Sequence, residues 1–202
     1  MEDRVYLYPV WVRIWHWLNA LLFLLLILTG LSMHNAGANF FMVPFEVSVL
    51  VHNISGIILV INFIYFVVAN RVTGNGKYYQ IKKKGFTEKI WKQTRYYSWG
   101  IFKHEKAPFP ISGKRKFNPL QKLSYVVAMY VLVPLIIISG IGLLFPETTI
   151  SSVFGKSGLW LTDLLHQIMG FFLTVFWLIH LYFCTMGKSW TSNFRSMFNG
   201  WH

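Results

Sequence analysis

His166–His180 reads HQIMGFFLTVFWLIH, and its two histidines enclose thirteen residues that are almost all apolar. The stretch lies within a nearly uncharged run over residues 159–183. Such a run is close to the roughly 20 residues that an α-helix needs to cross about 30 Å of hydrocarbon. The sequence therefore predicts a membrane-spanning helix here, with one imidazole near each end.

Three further runs have a similar length and composition, over residues 14–33, 47–69 and 121–145. The hydrophobic content is 54% and the aromatic content 18%, more than a soluble domain requires. We therefore expect an all-α fold over residues 1–202, a single integral membrane domain built as a four-helix bundle with one sizeable loop over 71–118. The first run is too long for the apolar core of a signal peptide, so we expect it to stay as a helix.

The basic residues fall on one side of this arrangement. The chain has 19 Lys and Arg against 7 Asp and Glu. In a four-span arrangement, all of the basic residues except Lys156 lie at the two termini and in or beside the 71–118 loop. The positive-inside rule then places both termini and that loop in the cytoplasm. Because topology already accounts for the charge asymmetry, we expect no nucleic-acid-binding surface.

Cysteine usage limits the cofactors. Cys184 is the single cysteine of the sequence, which excludes a disulfide, a Cys-x-x-Cys-His attachment of haem and a thiolate-held iron–sulfur cluster. Any redox cofactor must therefore be held by other side chains.

Four histidines lie inside the predicted spans, where ionisable side chains are costly and are usually functional. With the termini inside, His16 lies near the cytoplasmic start of the first span and His180 near the cytoplasmic exit of the fourth. His52 and His166 lie closer to the outer surface, on the second and fourth spans. Depth therefore pairs His16 with His180 and His52 with His166.

Each pair offers the two axial nitrogen ligands of a haem iron in a bundle core. The fourteen residues from His166 to His180 rotate the helix to within about 40° of whole turns and advance it by about 21 Å. One helix can thus ligate two stacked haems, an inner one on His16 and His180 and an outer one on His52 and His166. An individual histidine could instead hydrogen-bond between helices, whereas a zinc ion would need three or four ligands at one depth.

Glycines accompany the histidines. Gly56 and Gly170 each follow an outer histidine by four residues, so they lie on the same helix face one turn away. A glycine there lets a porphyrin lie against the backbone. Gly30 and Gly140, towards the outer ends of the other two spans, would give similar clearance. Close packing between helices is the alternative explanation for these glycines.

Several segments together resemble the prokaryotic four-helix, di-haem cytochrome b subunits of NiFe-hydrogenases, formate dehydrogenases and thiosulfate reductases. The matching segments are RIWHWLNALLFLLLILTG over 13–30, HNISG over 52–56, KFNPLQKLSYV over 116–126, HQIMG over 166–170 and FRSMFNGW over 194–201. The long loop, with RYYSWGIF and APFPISGKRKFNPLQK, is most similar to the thiosulfate-reductase branch.

The resemblance implies two b haems held by the paired histidines and electron exchange with menaquinone or ubiquinone beside the cytoplasmic haem. It implies a place in the inner (cytoplasmic) membrane of a bacterium or archaeon. It also implies a periplasmic redox partner, which would be a hydrogenase, a molybdenum enzyme or a multihaem cytochrome. The chain would then be the electron-transfer, quinone-reactive subunit of a respiratory oxidoreductase complex.

The turn before the third span is the expected quinone site. Formate dehydrogenase relatives have Asn-x-Gly-Gln there, and this chain has Asn118 and Gln121 at the matching positions but Leu120 in place of the glycine. The two amides can hydrogen-bond a quinone oxygen, although Asn118 is also expected to cap the helix. Nearby positive charge, for haem propionates or a semiquinone, comes from Lys122 and Arg13. The expected quinone residues are thus Asn118, Gln121, Lys122 and, by position, Tyr125.

Two other functions remain open. A self-sufficient superoxide:quinone oxidoreductase of the same superfamily would need an electropositive outer entrance, whereas the outer loops hold Lys156 against Glu46, Glu147 and Asp163. A haem-free membrane anchor or transporter is the second alternative, and it would show no Soret band.

Overall fold

A computed structural model describes residues 5–36, 42–82, 84–112, 115–187 and 189–201. Four basic residues, Arg4, Lys83, Lys114 and Lys188, and two acidic residues, Glu2 and Asp3, lie outside these described ranges.

Four long helices dominate the structure. They are α1 (Val10–His34), α2 (Phe45–Val72), α4 (Pro119–Leu144) and α5 (Gly158–Cys184), and each is long and apolar enough to cross a membrane. The all-α, four-span fold class is therefore confirmed. The helices start earlier or end later than most of the predicted apolar runs, because polar and aromatic residues at their ends continue the same backbone hydrogen bonding.

The four helices form two hairpins. Helix α1 packs along α2 and α4 packs along α5, while contacts between the two hairpins are much sparser. A buried core joins the hairpins and includes Leu22, Phe66, Val133 and Leu173. Leu22, Val133 and Leu173 lie between the two histidine levels, whereas Phe66, fourteen residues after His52, lies near the inner level.

The outer faces of the helices are apolar. Ile61, Ile138 and Phe171 are 62%, 64% and 65% exposed, and the other helices have similar side chains on their surfaces. A continuous apolar exterior of this kind suits lipid rather than water, while the helical backbone satisfies its own hydrogen bonds.

Helix α4 contains one wide turn. Asn118 caps the helix through a capping box with Gln121, and Pro119 occupies the first position. The segment Ala128–Leu132 is a π turn, and it is followed by Pro134, which has no N–H to donate to the preceding turn. A π turn takes one more residue than an α turn, so it changes which residues downstream face the bundle.

The remaining elements are short. The long loop contains a 3-10 turn (Asn75–Tyr79), helix α3 (Phe86–Ser98) and a second 3-10 turn (Gly100–Lys103). Between α4 and α5 lie a 3-10 turn (Pro146–Thr148) and a two-stranded hairpin, β1 (Ser152–Val153) and β2 (Lys156–Ser157). Helix α6 (Ser192–Asn199) follows α5 and packs on the start of α1, where Trp17 stacks on Phe198.

Candidate haem sites

The structure brings the four histidines together as two facing pairs. The ring centroids of His52 and His166 are 6.2 Å apart, and those of His16 and His180 are 6.1 Å apart. In each pair the rings come from different hairpins, one from α1 or α2 and the other from α5. The two pairs lie towards opposite ends of the bundle, with Leu22, Val133 and Leu173 of the apolar core between them.

The separation within each pair suits a shared iron ion. Two imidazoles bound to opposite sides of one metal have centroids about 6 Å apart, because each metal–nitrogen bond is about 2 Å long and each ring adds roughly 1 Å. No group of three or more His, Cys, Asp or Glu side chains fit for a metal occurs among the described residues. Two ligands at each level suit a haem, whose porphyrin supplies the other four, better than a zinc ion.

Hydroxyl groups hold the outer pair. The Thr29 hydroxyl lies 2.9 Å from His52 Nδ1, and the Ser139 hydroxyl lies 3.0 Å from His166 Nδ1. Each hydroxyl also lies within hydrogen-bonding distance of a backbone carbonyl one turn earlier on its own helix. The Thr29 hydroxyl lies 2.7 Å from the Leu25 carbonyl, and the Ser139 hydroxyl lies 2.9 Å from the Leu135 carbonyl.

The hydroxyl contacts are compatible with a proton on Nδ1 of each outer histidine. A hydroxyl has one proton, and Thr29 and Ser139 can donate theirs to their own helix carbonyls. Their oxygens can then accept from the Nδ1–H groups of His52 and His166. In this tautomer each Nε2 is unprotonated, which is the form that can bind iron.

The glycines divide into two kinds. A Cβ on Gly30 would lie 3.5 Å from His52 Cε1, and a Cβ on Gly140 would lie 3.2 Å from His166 Cε1. These two glycines make room for the imidazole of the neighbouring helix, a contact that the sequence did not predict. Gly56 has nothing within 4 Å of such a Cβ, and Gly170 has only a side-chain methyl at 3.8 Å, so the described residues leave room beside both.

The inner pair has different neighbours. The Tyr125 hydroxyl lies 3.4 Å from His180 Nδ1, and Cys184 Sγ lies 3.7 Å from His180 Nε2. His16 Nδ1 is buried and has no hydrogen-bond partner among the described residues, and the same holds for Arg13 Nε. Buried polar atoms without partners are rare, and here they lie where the sequence predicts a haem ligand and a contact to the propionates.

The residues predicted to bind quinone make hydrogen bonds to other groups of the protein. Asn118 donates from its side-chain amide to the Tyr97 hydroxyl at 2.7 Å, and Lys122 donates to the carbonyl of Gln80 at 3.2 Å. Gln121 accepts from the Asn118 backbone N–H within the capping box. Of the four predicted residues, Tyr125 is the one found in contact with an inner histidine.

Two tyrosines missed by the sequence analysis complete the inner end. Burial raises the pKa of Tyr8 to about 12, and burial also raises the pKa of Tyr97 against the lowering effect of its hydrogen bond to Asn118. A phenol is neutral at physiological pH even with its ordinary pKa, so both side chains can donate hydrogen bonds there. Tyr8 lies in none of the segments that carry the resemblance, whereas Tyr97 lies in RYYSWGIF, a segment that pointed to the family but assigned no role to this residue.

Comparison with known proteins identifies the family. The family model described as prokaryotic cytochrome b561 matches residues 7–200. The chain belongs to the prokaryotic cytochrome b561 family. Membership implies binding of haem b and a role in electron transfer within a membrane, which agrees with the paired histidines and the four spans.

One curated relative matches this cytochrome b561-family chain over almost the full length of the chain. "Putative cytochrome YdhU" of Escherichia coli (strain K12) is 40% identical over 202 residues, which are 99% of this chain and 75% of the relative. No solved structure matches the chain.

Removing the hydroxyls of Thr29 and Ser139 tests the outer site of this cytochrome b561-family chain. We expect Ser139→Ala and Thr29→Val to weaken haem retention by about 10- to 100-fold, because the tautomer and orientation of a ligating histidine depend on such a partner. The measurement is the rate of haem transfer to an apoprotein acceptor. Ser124→Ala is the matched control, since the Ser124 hydroxyl donates to the carbonyl of Gln121 on its own helix. Equal retention in all three variants would contradict the assigned role.

Proposed function

We propose that this chain is the di-haem membrane subunit of a respiratory complex, which transfers electrons between a periplasmic redox partner and the quinone pool. The observation that carries the proposal is the pair of histidine pairs, with ring centroids 6.1 and 6.2 Å apart, at the two ends of one helical bundle. Haem b bound at each pair would supply a one-electron carrier near each membrane surface.

The distribution of Lys and Arg indicates how the chain is oriented in the membrane. The ends of α1, α2, α4 and α5 nearest the inner pair carry the termini and the loop with most of the Lys and Arg, so we assign this end to the cytoplasm. The inner pair would then lie near the cytoplasmic surface of a bacterial or archaeal inner membrane. The outer pair would lie near the periplasm.

The quinone site is proposed beside the inner pair. Tyr125 contacts His180, and the Asn118 amide is linked to Tyr97 in the same region. A quinone, either menaquinone or ubiquinone, has two carbonyl oxygens that such phenol and amide donors can bind. We include Gln121 and Lys122 in the site because they lie on the first turn of α4, and Arg13 as a contact for the haem propionates.

The outer surface suits a docking partner better than a substrate. Between α4 and α5 it presents a short 3-10 turn and the β1–β2 hairpin. We therefore assign substrate chemistry to a separate subunit, a hydrogenase, a molybdenum enzyme or a multihaem cytochrome. The loop resemblance favours a partner of the thiosulfate-reductase type.

The proposal is tested on the chain purified with its haem and reconstituted in lipid nanodiscs. We expect a Soret band, two haems per chain by pyridine haemochrome assay, and reduction of both on addition of a quinol. Mild extraction from native membranes should recover a periplasmic redox protein with it. A single haem, or haem that quinol leaves oxidised while dithionite reduces it, would contradict the proposal.

A further inference from the structure

Two cavities adjoin at the basic end of the α1–α2 hairpin. The first has a volume of about 250 Å³ and lies between the start of α1 and the turn after α2, with Tyr6, Asn75, Lys77, Tyr78 and Lys116 in its wall. The second is a groove of about 540 Å³ along the outside of the same hairpin, formed by Ile14, Leu18, Ile58, Ile61 and Tyr65. Trp11 lines both cavities, so the groove begins where the first cavity ends.

The first cavity concentrates positive charge. The Lys116 ammonium lies 4.3 Å from the centroid of the Tyr78 ring, and the Lys77 ammonium lies 5.2 Å from the centroid of the same ring. Lys116 is only 7% exposed, and its ammonium donates to the Asn75 amide oxygen at 2.9 Å. Among the described residues, neither lysine is paired with a carboxylate.

This arrangement is unfavourable without an anion. Burial, together with the nearby charge of Lys77, lowers the pKa of Lys116 to about 8. Two like charges held near one ring repel each other, and the almost fully buried Lys116 has also lost hydration. An anion between them would relieve both effects.

The groove has the opposite character. Its wall is almost wholly apolar, it follows the direction of α1 and α2 into the membrane, and Ile14 and Ile61 in its wall are 65% and 62% exposed. An exposed apolar groove that descends from a cationic cavity suits an amphiphile with an anionic head and a hydrocarbon tail. In a bilayer, a phospholipid supplies both parts in this order.

We propose that the α1–α2 hairpin holds one anionic phospholipid, with its phosphate between Lys77 and Lys116 and an acyl chain in the groove below Trp11. Trp11 and Tyr65, whose ring centroids are 6.3 Å apart, lie at the level where head and tail join. The site is separate from the proposed haem and quinone sites and does not depend on them.

The test is native mass spectrometry of the haem-loaded chain, released from nanodiscs that contain equal amounts of phosphatidylglycerol and phosphatidylcholine. We expect one phosphatidylglycerol to be retained per chain in preference to phosphatidylcholine. Lys77→Gln should lower that retention about five-fold, since one lysine contributes about that much to binding an anionic lipid. Lys77 is exposed, so this variant should fold. Lys116→Arg, which keeps the charge, should preserve retention.

Matched controls separate the two halves of the site. Lys92→Gln removes the same charge from an exposed position on α3, and it should leave retention unchanged. Ile61→Trp should fill the groove and lower retention, whereas Ile64→Trp, at a position 57% exposed on the same helix, should not.

Several outcomes would overturn the proposal. Equal retention of the two lipids would show that the lysines do not select an anionic head. Displacement of the lipid by excess inorganic phosphate, with no effect of Ile61→Trp, would indicate a site for free phosphate. Loss of haem from Lys77→Gln with unchanged lipid would assign the lysines to a haem propionate.

Discussion

Replacing His52 with alanine is expected to leave the protein with one haem instead of two. His52 and His166 would together hold the outer haem, and their ring centroids are 6.2 Å apart, so removing either one takes away half of the proposed ligands. The inner pair is at the other end of the bundle and should keep its haem. His16→Ala should give the reverse result, because its partner His180 serves only the inner site.

The measurement is the haem content per chain together with a redox titration followed by absorbance. Each variant should lose one component of the titration, and the component lost should differ between His52→Ala and His16→Ala. The haem that remains also reports that the variant has folded. His34→Ala is the control, since His34 is exposed at the end of α1 and should leave both components in place. Two components in His52→Ala would show that the ligands are assigned wrongly.

The second large effect concerns the order in which electrons from quinol reach the two haems. We expect His16→Ala to stop reduction of the remaining outer haem by quinol, down to the background seen without quinol, although dithionite should still reduce that haem. The reason is distance. On α5, His180 of the inner site is fourteen residues from His166 of the outer site, which corresponds to about 21 Å along the helix. Quinone beside Tyr125 would face the inner site alone.

His52→Ala should behave in the opposite way. Its inner haem should still be reduced by quinol at close to the rate of the unchanged protein, as measured by stopped-flow absorbance in nanodiscs. His180→Ala repeats the His16 experiment from the other side of the haem and should give the same result. If quinol reduced the outer haem normally in both inner-site variants, the quinone site would have to lie near the outer pair.

The sequence could predict the spans and the histidine pairs because both depend on short-range regularities. Apolar runs of the length of a bilayer have few alternatives to a helix, and the order of the helices fixes the depth of each histidine. Depth pairing placed His16 with His180 and His52 with His166, and the structure brings the rings of each pair to about 6 Å from one another. The haem ligation itself stays a prediction.

The surroundings of the histidines could not be predicted in the same way. Thr29 and Ser139 contact the outer histidines because α1 packs on α2 and α4 packs on α5, and no sequence spacing encodes those contacts. For the same reason, Gly30 and Gly140 could be predicted to give clearance for a porphyrin, but not to have imidazole rings as their nearest neighbours.

The π turn in α4 is another feature that the sequence could not predict. Thirteen residues separate His16 from Thr29 on α1, and fourteen separate Tyr125 from Ser139 on α4. The extra residue is taken up by the π turn at Ala128–Leu132, so both Tyr125 and Ser139 reach histidines of α5. Tyr125 therefore stands on α4 at the level where α1 has His16, a correspondence that the spacing in the sequence conceals.

By itself, the sequence determined that this protein is a four-span helical membrane protein with two levels of paired histidines. Hydrocarbon thickness and helix rise are fixed quantities, so composition and spacing suffice for that conclusion. Only the tertiary structure decided which hydroxyl, phenol or glycine meets each imidazole, and which lysines share a cavity. Those contacts depend on how the helices rotate about their axes and pack, and side-chain shape across the whole bundle sets that rotation.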